Sequence, residues 1–296
     1  MRLNLHSLKL FVAVVEEGSI TAAAEREFIA ASALSKRVTE LERVLGTALL
    51  LRQARGVEPT AAGRVLVRGA RTLLHQAVDL EVKVRDFATG ASGHVRVAAN
   101  LSAITQFLAT DLSNFTQAYP RIQIDLEERI SSSVTRMVLD NVADIGVFMF
   151  SEDEQQLDVH PYREDEVVMI MHRSHPLAPR GRASFLDTLD YEHIGMQRHS
   201  AMGTIMQRVA TSAGRELRMR FFVQSYDALI SMVRQRLGIG LMPLGAVPLY
   251  EQTELVTMQL TETWARRRIK LGVRRGEAQS AAGQMLLDHL LSSGRR

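Results

Sequence analysis

Apolar residues recur at helical spacing through the first 90 positions. After that they break into short alternating runs separated by further helical stretches. Leu8, Phe11, Val12 and Val15 form one stripe over Leu5 to Glu17, with Ser7 as its cap and Gly18 as its stop. Ser19 opens a second, short helix, Ile20 to about Arg26, as a hydroxyl N-cap. A tight turn, Glu27-Phe28-Ile29-Ala30, leads to a third helix from about Ala31 to Leu45. Along it Leu34, Val38, Leu41 and Leu45 fall at intervals of four, three and four, and Gly46 accepts the left-handed cap conformation. Leu49-Leu50-Leu51 then run into a basic tip, Arg52 to Gly56, and a return Val57-Glu58-Pro59, the pattern of a two-stranded wing. Thr60 caps a long helix to about Ala88. Its apolar positions, Leu66 to Phe87, persist for about seven turns. Such a helix buries its apolar side against a second copy, the alternative being its own domain.

Thr89-Gly90-Ala91-Ser92-Gly93 is small and uncharged, and the domain boundary is placed there. Beyond it, Val95, Val97 and Ala99 alternate as a strand, Asn100 to Ala103 is a turn, and Ile104 to Tyr119 is helical. Ile122, Ile124 and Leu126 alternate again. Ser131-Ser132-Ser133 lead into a helix from Val134 to about Asn141, and Ile145 to Phe148 is a buried strand. Strand runs at 166–172, 194–196, 221–224 and 239–243 alternate with helical runs at 184–189, 201–213 and 227–236. This order predicts α/β units built on a parallel sheet.

Composition narrows the chemistry. The 296 residues carry no cysteine, which excludes disulfides, thiolate catalysis and Cys-ligated metals. Residues 1–90 hold 13 Lys and Arg against 10 Asp and Glu, while the remainder holds 23 of each. The net charge of +3 thus sits in the first third, where a polyanion partner would bind. No apolar run is long enough to cross a bilayer, and the first residues lack a signal-peptide core, so a cytoplasmic protein without a membrane partner is expected.

The third helix has one apolar stripe, and Ser32, Ser35, Lys36, Thr39 and Arg43 lie away from it. Hydroxyls reach base edges and cations meet phosphate, so this face suits a DNA major groove. An ordinary amphipathic pair with a solvated face is the alternative. The run Glu17-Gly18-Ser19-Ile20-Thr21-Ala22-Ala23-Ala24, then Ala33-Leu34-Ser35, Leu41-Glu42, Leu45-Gly46, Arg55-Gly56 and Pro59-Thr60-Ala61-Ala62-Gly63, closely resembles the winged helix-turn-helix of LysR-type transcriptional regulators. One departure stands out: Ala30-Ala31-Ser32 replaces the family's usual Ser-Gln-Pro, which bears on operator preference. A lost hydroxyl cap costs about 1 kcal/mol, although Ser32 would cap a helix begun two residues later.

The resemblance implies a winged helix-turn-helix over 1–60, a linker and dimerisation helix over 61–90, and an effector-binding domain over 91–296. The last has two Rossmann-like subdomains, as in a periplasmic binding protein, over about 91–161 with 269–296 and about 162–268. The DNA-contacting residues would be Ser19, Thr21, Ala31, Ser32, Ser35, Lys36, Arg37 and Thr39, with Arg52 and Arg55 on flanking backbone. The implied protein is a homodimer or homotetramer on an interrupted palindrome of double-stranded DNA, switched by a small anionic effector, with RNA polymerase as a further partner. It is no enzyme and needs no cofactor.

In open α/β sheets ligands lie beyond the strand ends. Asn100, Leu101 and Ser102 follow the first strand; Ser131, Ser132 and Ser133 precede a helix; Gln197, His199 and Ser200 precede another. These nine are the candidate effector residues, Ser102 and Ser131 foremost; for each serine the plain alternative is an N-cap. Arg198 is either a counter-ion or surface, and Arg266-Arg267-Arg268 read as the polar edge of a crossover strand. His172 and His175 lack a third ligand, so no metal is expected. No Gly-x-Ser-x-Gly elbow or phosphate-binding glycine loop appears. The competing reading is a solute-binding or enzymatic α/β protein whose first 90 residues only mediate assembly.

Overall fold

The computed structural model describes residues 3–53, 56–89, 93–250 and 254–294. They form two compact units: residues 1–93 with 140–142, and 94–139 with 143–296.

The first unit contains α1 (Leu5–Glu17), α2 (Ile20–Arg26), α3 (Ala31–Leu45), β1 (Leu50–Gln53), β2 (Gly56–Pro59) and α4 (Ala61–Thr89). Leu8, Phe11 and Val14 of α1 meet Ala23 and Ala24 of α2, Leu34, Val38 and Leu41 of α3, and Val67 and Ala70 of α4 in one buried cluster. A fully buried leucine contributes about 2 kcal/mol, and the paired alanines let helices approach closely. The caps differ from expectation in two places. Asn4, not Ser7, caps α1, its side chain accepting the His6 N–H at 2.8 Å. Helix α3 starts directly at Ala31, with Ala30 as an extended cap that offers no side-chain hydrogen bond. Ser32 therefore lies inside the first turn and does not restore the missing cap.

The wing is a β1–β2 hairpin, Leu50 opposite Pro59 and Gln53 opposite Gly56. It is pinned to the α1–α2 turn by the Val57 N–H, which donates to the Gly18 carbonyl at 2.9 Å. A Cβ on Gly56, where φ is 133°, would lie 2.4 Å from that same carbonyl oxygen, so only glycine permits the approach. Thr60 caps α4 through the Gly63 N–H at 2.9 Å. Val65, Leu73, Val78 and Leu80 of α4 are exposed.

In the second unit the strands are β3 (Gly93–Ala99), β4 (Ile122–Glu128), β5 (Ile145–Phe148), β6 (Leu157–His172), β7 (Arg182–Ala183), β8 (His193–Met196), β9 (Met219–Val223), β10 (Ile239–Pro243), β11 (Leu255–Leu260) and β12 (Arg266–Arg274). The helices are α5 (Leu101–Ala103), α6 (Ala109–Ala118), α7 (Ser131–Leu139), α8 (Ala201–Ser212), α9 (Tyr226–Arg234) and α10 (Ala281–Ser293), with a π turn over Ile104–Leu108 joining α5 to α6. One curled sheet runs β4-β3-β5-β12-β6-β10-β8-β9, with β11 beside β6 and β7.

The sheet is mixed rather than parallel. Pairs β3–β5, β8–β9 and β8–β10 are parallel, while β5–β12, β12–β6, β6–β10 and β6–β11 are antiparallel. The reason is β6. It begins nine residues before the expected 166, since Asp158, Pro161 and Glu164 interrupt its apolar run, and it pairs along its length with β12. Arg266, Arg267 and Arg268 of β12 face Glu166, Asp165 and Glu164. The arginine run therefore belongs to a strand inside the sheet, not at its edge; Arg267 and Arg268 pair with Asp165 and Glu164 directly across, and of the three only Arg267 is buried.

These two strands carry the chain between two lobes. In lobe I, Val97, Ile145 and Leu271 pack on Phe115 and, from α10, Leu286 and Leu290, while Val134, Val138, Phe148 and Leu157 fill the other face of the sheet. In lobe II, Val167 and Met169 join Phe185, Met206 and Leu241 on one face, and Val168 and Ile170 join Ile194, Leu229 and Val233 on the other. The expected turn at Asn100–Ala103 is instead the first turn of α5, the serine run starts α7 itself, and α7 ends at Leu139. At 184–189 the helix is a 3-10 turn over Phe185–Thr188.

Candidate nucleic-acid interface and effector cleft

Leu34, Val38 and Leu41 fix which side of α3 faces inward. On the other side Ser32, Lys36, Arg37 and Thr39 are exposed, with Ala31 and Ser35 half-buried. Lys36 and Arg37 make no ion pair with any other described residue. The two acids of the helix are engaged elsewhere. Glu40 takes two hydrogen bonds from Arg43, at 2.8 and 2.5 Å, which hold its carboxyl below the usual range and raise the guanidinium. Glu42 turns inward, accepting the N–H groups of Leu49 at 2.8 Å and Leu50 at 3.2 Å, and so anchors the entry to the wing. The acids of α3 are thus taken up by Arg43 and by the entry to the wing, while Lys36 and Arg37 stand exposed.

Ser19 is the N-cap of α2, accepting the Ala22 N–H at 3.3 Å, and Thr21 next to it is exposed. Arg52 lies in β1, and Arg55 lies outside the described residues. Phe28, in the turn before α3, adopts φ 55° and is 95% exposed.

In the second unit a cavity of about 90 Å³ lies between the lobes. Asn100, Leu101, Ser102, Ser131, Gln197 and Ser200 line it; Ser132, Ser133 and His199 do not. Asn100 is bound on both sides: its Oδ1 accepts the Ala103 N–H at 2.9 Å and its Nδ2 donates to Ser131 Oγ at 3.3 Å. The Ser131 oxygen also accepts the Met149 N–H at 3.2 Å, which leaves the hydroxyl proton to donate. Ser200 is a satisfied N-cap, accepting the Gly203 N–H at 3.2 Å and donating to the Met196 carbonyl at 2.9 Å. Gln197 Nε2 donates across the cleft to Glu128 at 3.2 Å. Gln197 and His199 both sit in the left-handed region, at φ 47° and 62°, so this loop is a strained backbone held by its surroundings. Exposed Arg198 stacks over the Phe222 ring at 4.3 Å.

Four polar residues at or beneath the cleft floor, Arg267, Asp165, Tyr226 and Gln106, were not among the sequence candidates. Arg267 lines the floor, buried, and is held by Asp165 through its Nε at 2.7 Å and through Nη2. Ser102 Oγ lies 3.5 Å from the same Nη2 and 3.1 Å from the Tyr226 hydroxyl, which comes from lobe II. Burial pushes that hydroxyl up to about 12, so it stays protonated. Gln106 Nε2 completes the group, donating to Asp165 at 2.8 Å. The arginine triplet was the available signal, but only cross-strand pairing picks out the middle one. Above this floor, Met149, Met196, Met202, Met206 and Met219 make a flexible apolar wall.

The comparisons with known proteins agree with this architecture. The model of the LysR substrate binding domain matches residues 88–295, and that of the bacterial regulatory helix-turn-helix protein of the lysR family matches residues 5–64. The transcriptional regulator YbhD of Escherichia coli strain K12 is 26% identical over 99% of this chain and 92% of its own. The probable transcriptional regulator LrrA of Synechococcus elongatus is 30% identical over 83% of each chain. Among solved structures, the LysR family regulator CbnR superposes with a TM-score of 0.69 at 20% identity, over 99% of this chain and 100% of that one. With two family models spanning both units, this chain belongs to the LysR family of bacterial regulatory helix-turn-helix proteins.

Proposed function

We propose that the protein is a transcriptional regulator that binds an interrupted DNA palindrome as a homo-oligomer and answers to a small anionic effector held in the cleft of its α/β unit. The observation that carries this reading is the open face of α3. Its apolar stripe is spent on the core, its acids are engaged elsewhere, and Ser32, Lys36, Arg37 and Thr39 are left exposed. Solved structures of CbnR with its target DNA and of the QuiR effector binding domain with shikimate support the same division of labour in similar proteins. Two recognition helices in an oligomer address half-sites about one helical turn apart. Effector binding acts by favouring one arrangement of the lobes over another, for which its affinity for the two must differ.

The test is a gel shift on DNA flanking the gene, repeated over a range of salt. Log affinity falls linearly with log salt, and Lys36→Ala weakens binding and lowers the slope by about 1. An unchanged slope in the variant removes Lys36 from the interface. No retardation at low salt would favour the solute-binding or enzymatic reading.

A further inference from the structure

We infer that the effector is a small monocarboxylate with an apolar body, and that Asp165 is the residue that excludes ligands of higher charge. The inference rests on the regulator reading above and specifies the ligand of its cleft. Three observations lead to it.

The first is which groups are left to bind. Ser131 accepts two N–H groups and keeps its proton free, while Arg267 spends Nε and Nη2 on Asp165 and Ser102. Its Nη1 makes no bond to a described residue. Both are donors, so the head of the ligand must accept hydrogen bonds, as a carboxylate does. The second is charge. Among the described residues Arg267 is the single cation lining this cavity, and Asp165, with a side chain 2% exposed, neutralises it. One added negative charge shares a guanidinium that is already half-engaged. A second would be buried with no counter-charge, which is costly in a medium of low dielectric. The third is the wall. A cavity of about 90 Å³ faced by five methionines is smaller than the engineered apolar cavity of about 150 Å³ that admits benzene. The body is therefore one ring or a short branched chain, with the methionine side chains moving to take up the difference.

The test uses the purified full chain and four probes at equal concentration: 3-methylbutanoate, benzoate, succinate and inorganic phosphate. Calorimetry and thermal shift are expected to show both monocarboxylates binding at least tenfold more tightly than succinate or phosphate. Arg267→Gln removes that binding. Asp165→Asn, which leaves the cation uncompensated, narrows the gap between benzoate and succinate by tenfold or more. Succinate or phosphate binding the unaltered protein more tightly than the monocarboxylates would overturn the inference, and this needs no variant that must fold. So would an Asp165→Asn protein, folded by circular dichroism, that discriminates as before. The same preparation is run in the gel shift. Retarded DNA with no monocarboxylate binding sinks the inference and spares the regulator reading; monocarboxylate binding without DNA retardation does the reverse.

Discussion

At the scale of single residues, conformation and chemistry are set against each other in the turn before α3. Phe28 holds a left-handed backbone, which costs a non-glycine residue about 1 kcal/mol or more, and its ring is almost wholly in solvent. Neither helical propensity nor core packing accounts for a phenylalanine there. Phe28→Gly relieves the strain and is expected to raise the melting temperature of the helix-turn-helix unit by a few degrees, read by circular dichroism. An unchanged or lower value would mean that the ring stabilises the turn by contacts the exposure does not suggest. Cleft residues follow a similar logic. Ser200 satisfies the role of an N-cap completely, whereas Ser102 and Ser131 carry hydroxyls linked to Arg267 or left with a free proton. Three serines look alike in a sequence, and only their partners separate them.

At the scale of elements, α4 and β6 show how far periodicity reaches. The long helix of the apolar pattern is present as α4, yet Leu73, Val78 and Leu80 remain exposed. Exposed leucines spaced along one helix are the expected seam of a helix pair. Replacing Leu73 and Leu80 together by Asp is expected to shift the protein to monomer in analytical ultracentrifugation and to weaken DNA binding at least tenfold through lost bivalency. A variant that sediments like the unaltered protein would place the seam elsewhere. β6 fails as a periodic pattern because half of it is polar. Its acids are charge partners for β12, and that pairing is made across a hundred residues of chain.

At the scale of the whole molecule, acid lability has a definite origin in lobe II. His193 is fully buried, its ring against the Thr188 hydroxyl at 3.1 Å and the Tyr191 carbonyl at 3.0 Å. Burial lowers its pKa from 6.5 to about 4, and His175 moves the same way for the same reason. The folded ring is then neutral where the unfolded one is protonated. Its contribution is fully present above pH 6.5 and is lost as pH falls toward 4, on the order of 3 kcal/mol. Trp264, packed edge-on to Phe185 at 5.5 Å, reports on this lobe by fluorescence. Its melting midpoint should drop between pH 6.5 and 4.5, and His193→Gln should flatten that drop. Equal pH dependence in both proteins would assign the loss to carboxylates instead.

The helices of the first unit, the face of α3 left free and the alternation of strands and helices beyond residue 93 could all be read from the chain itself. Each depends on neighbours within a few residues, where apolar spacing, caps and glycines act directly. The antiparallel crossing of β6 and β12, the interior place of the arginine triplet, and α10 with the short strands β7 and β11 could not. Nor could the joining of Ser102, Asp165, Tyr226 and Arg267 in one cleft. Those four residues are spread over 165 positions and come from both lobes and the strands between them. Local propensity has no term for such partners, because the energy that selects them, desolvated charge against charge and hydroxyl against hydroxyl, exists only once the sheet has closed.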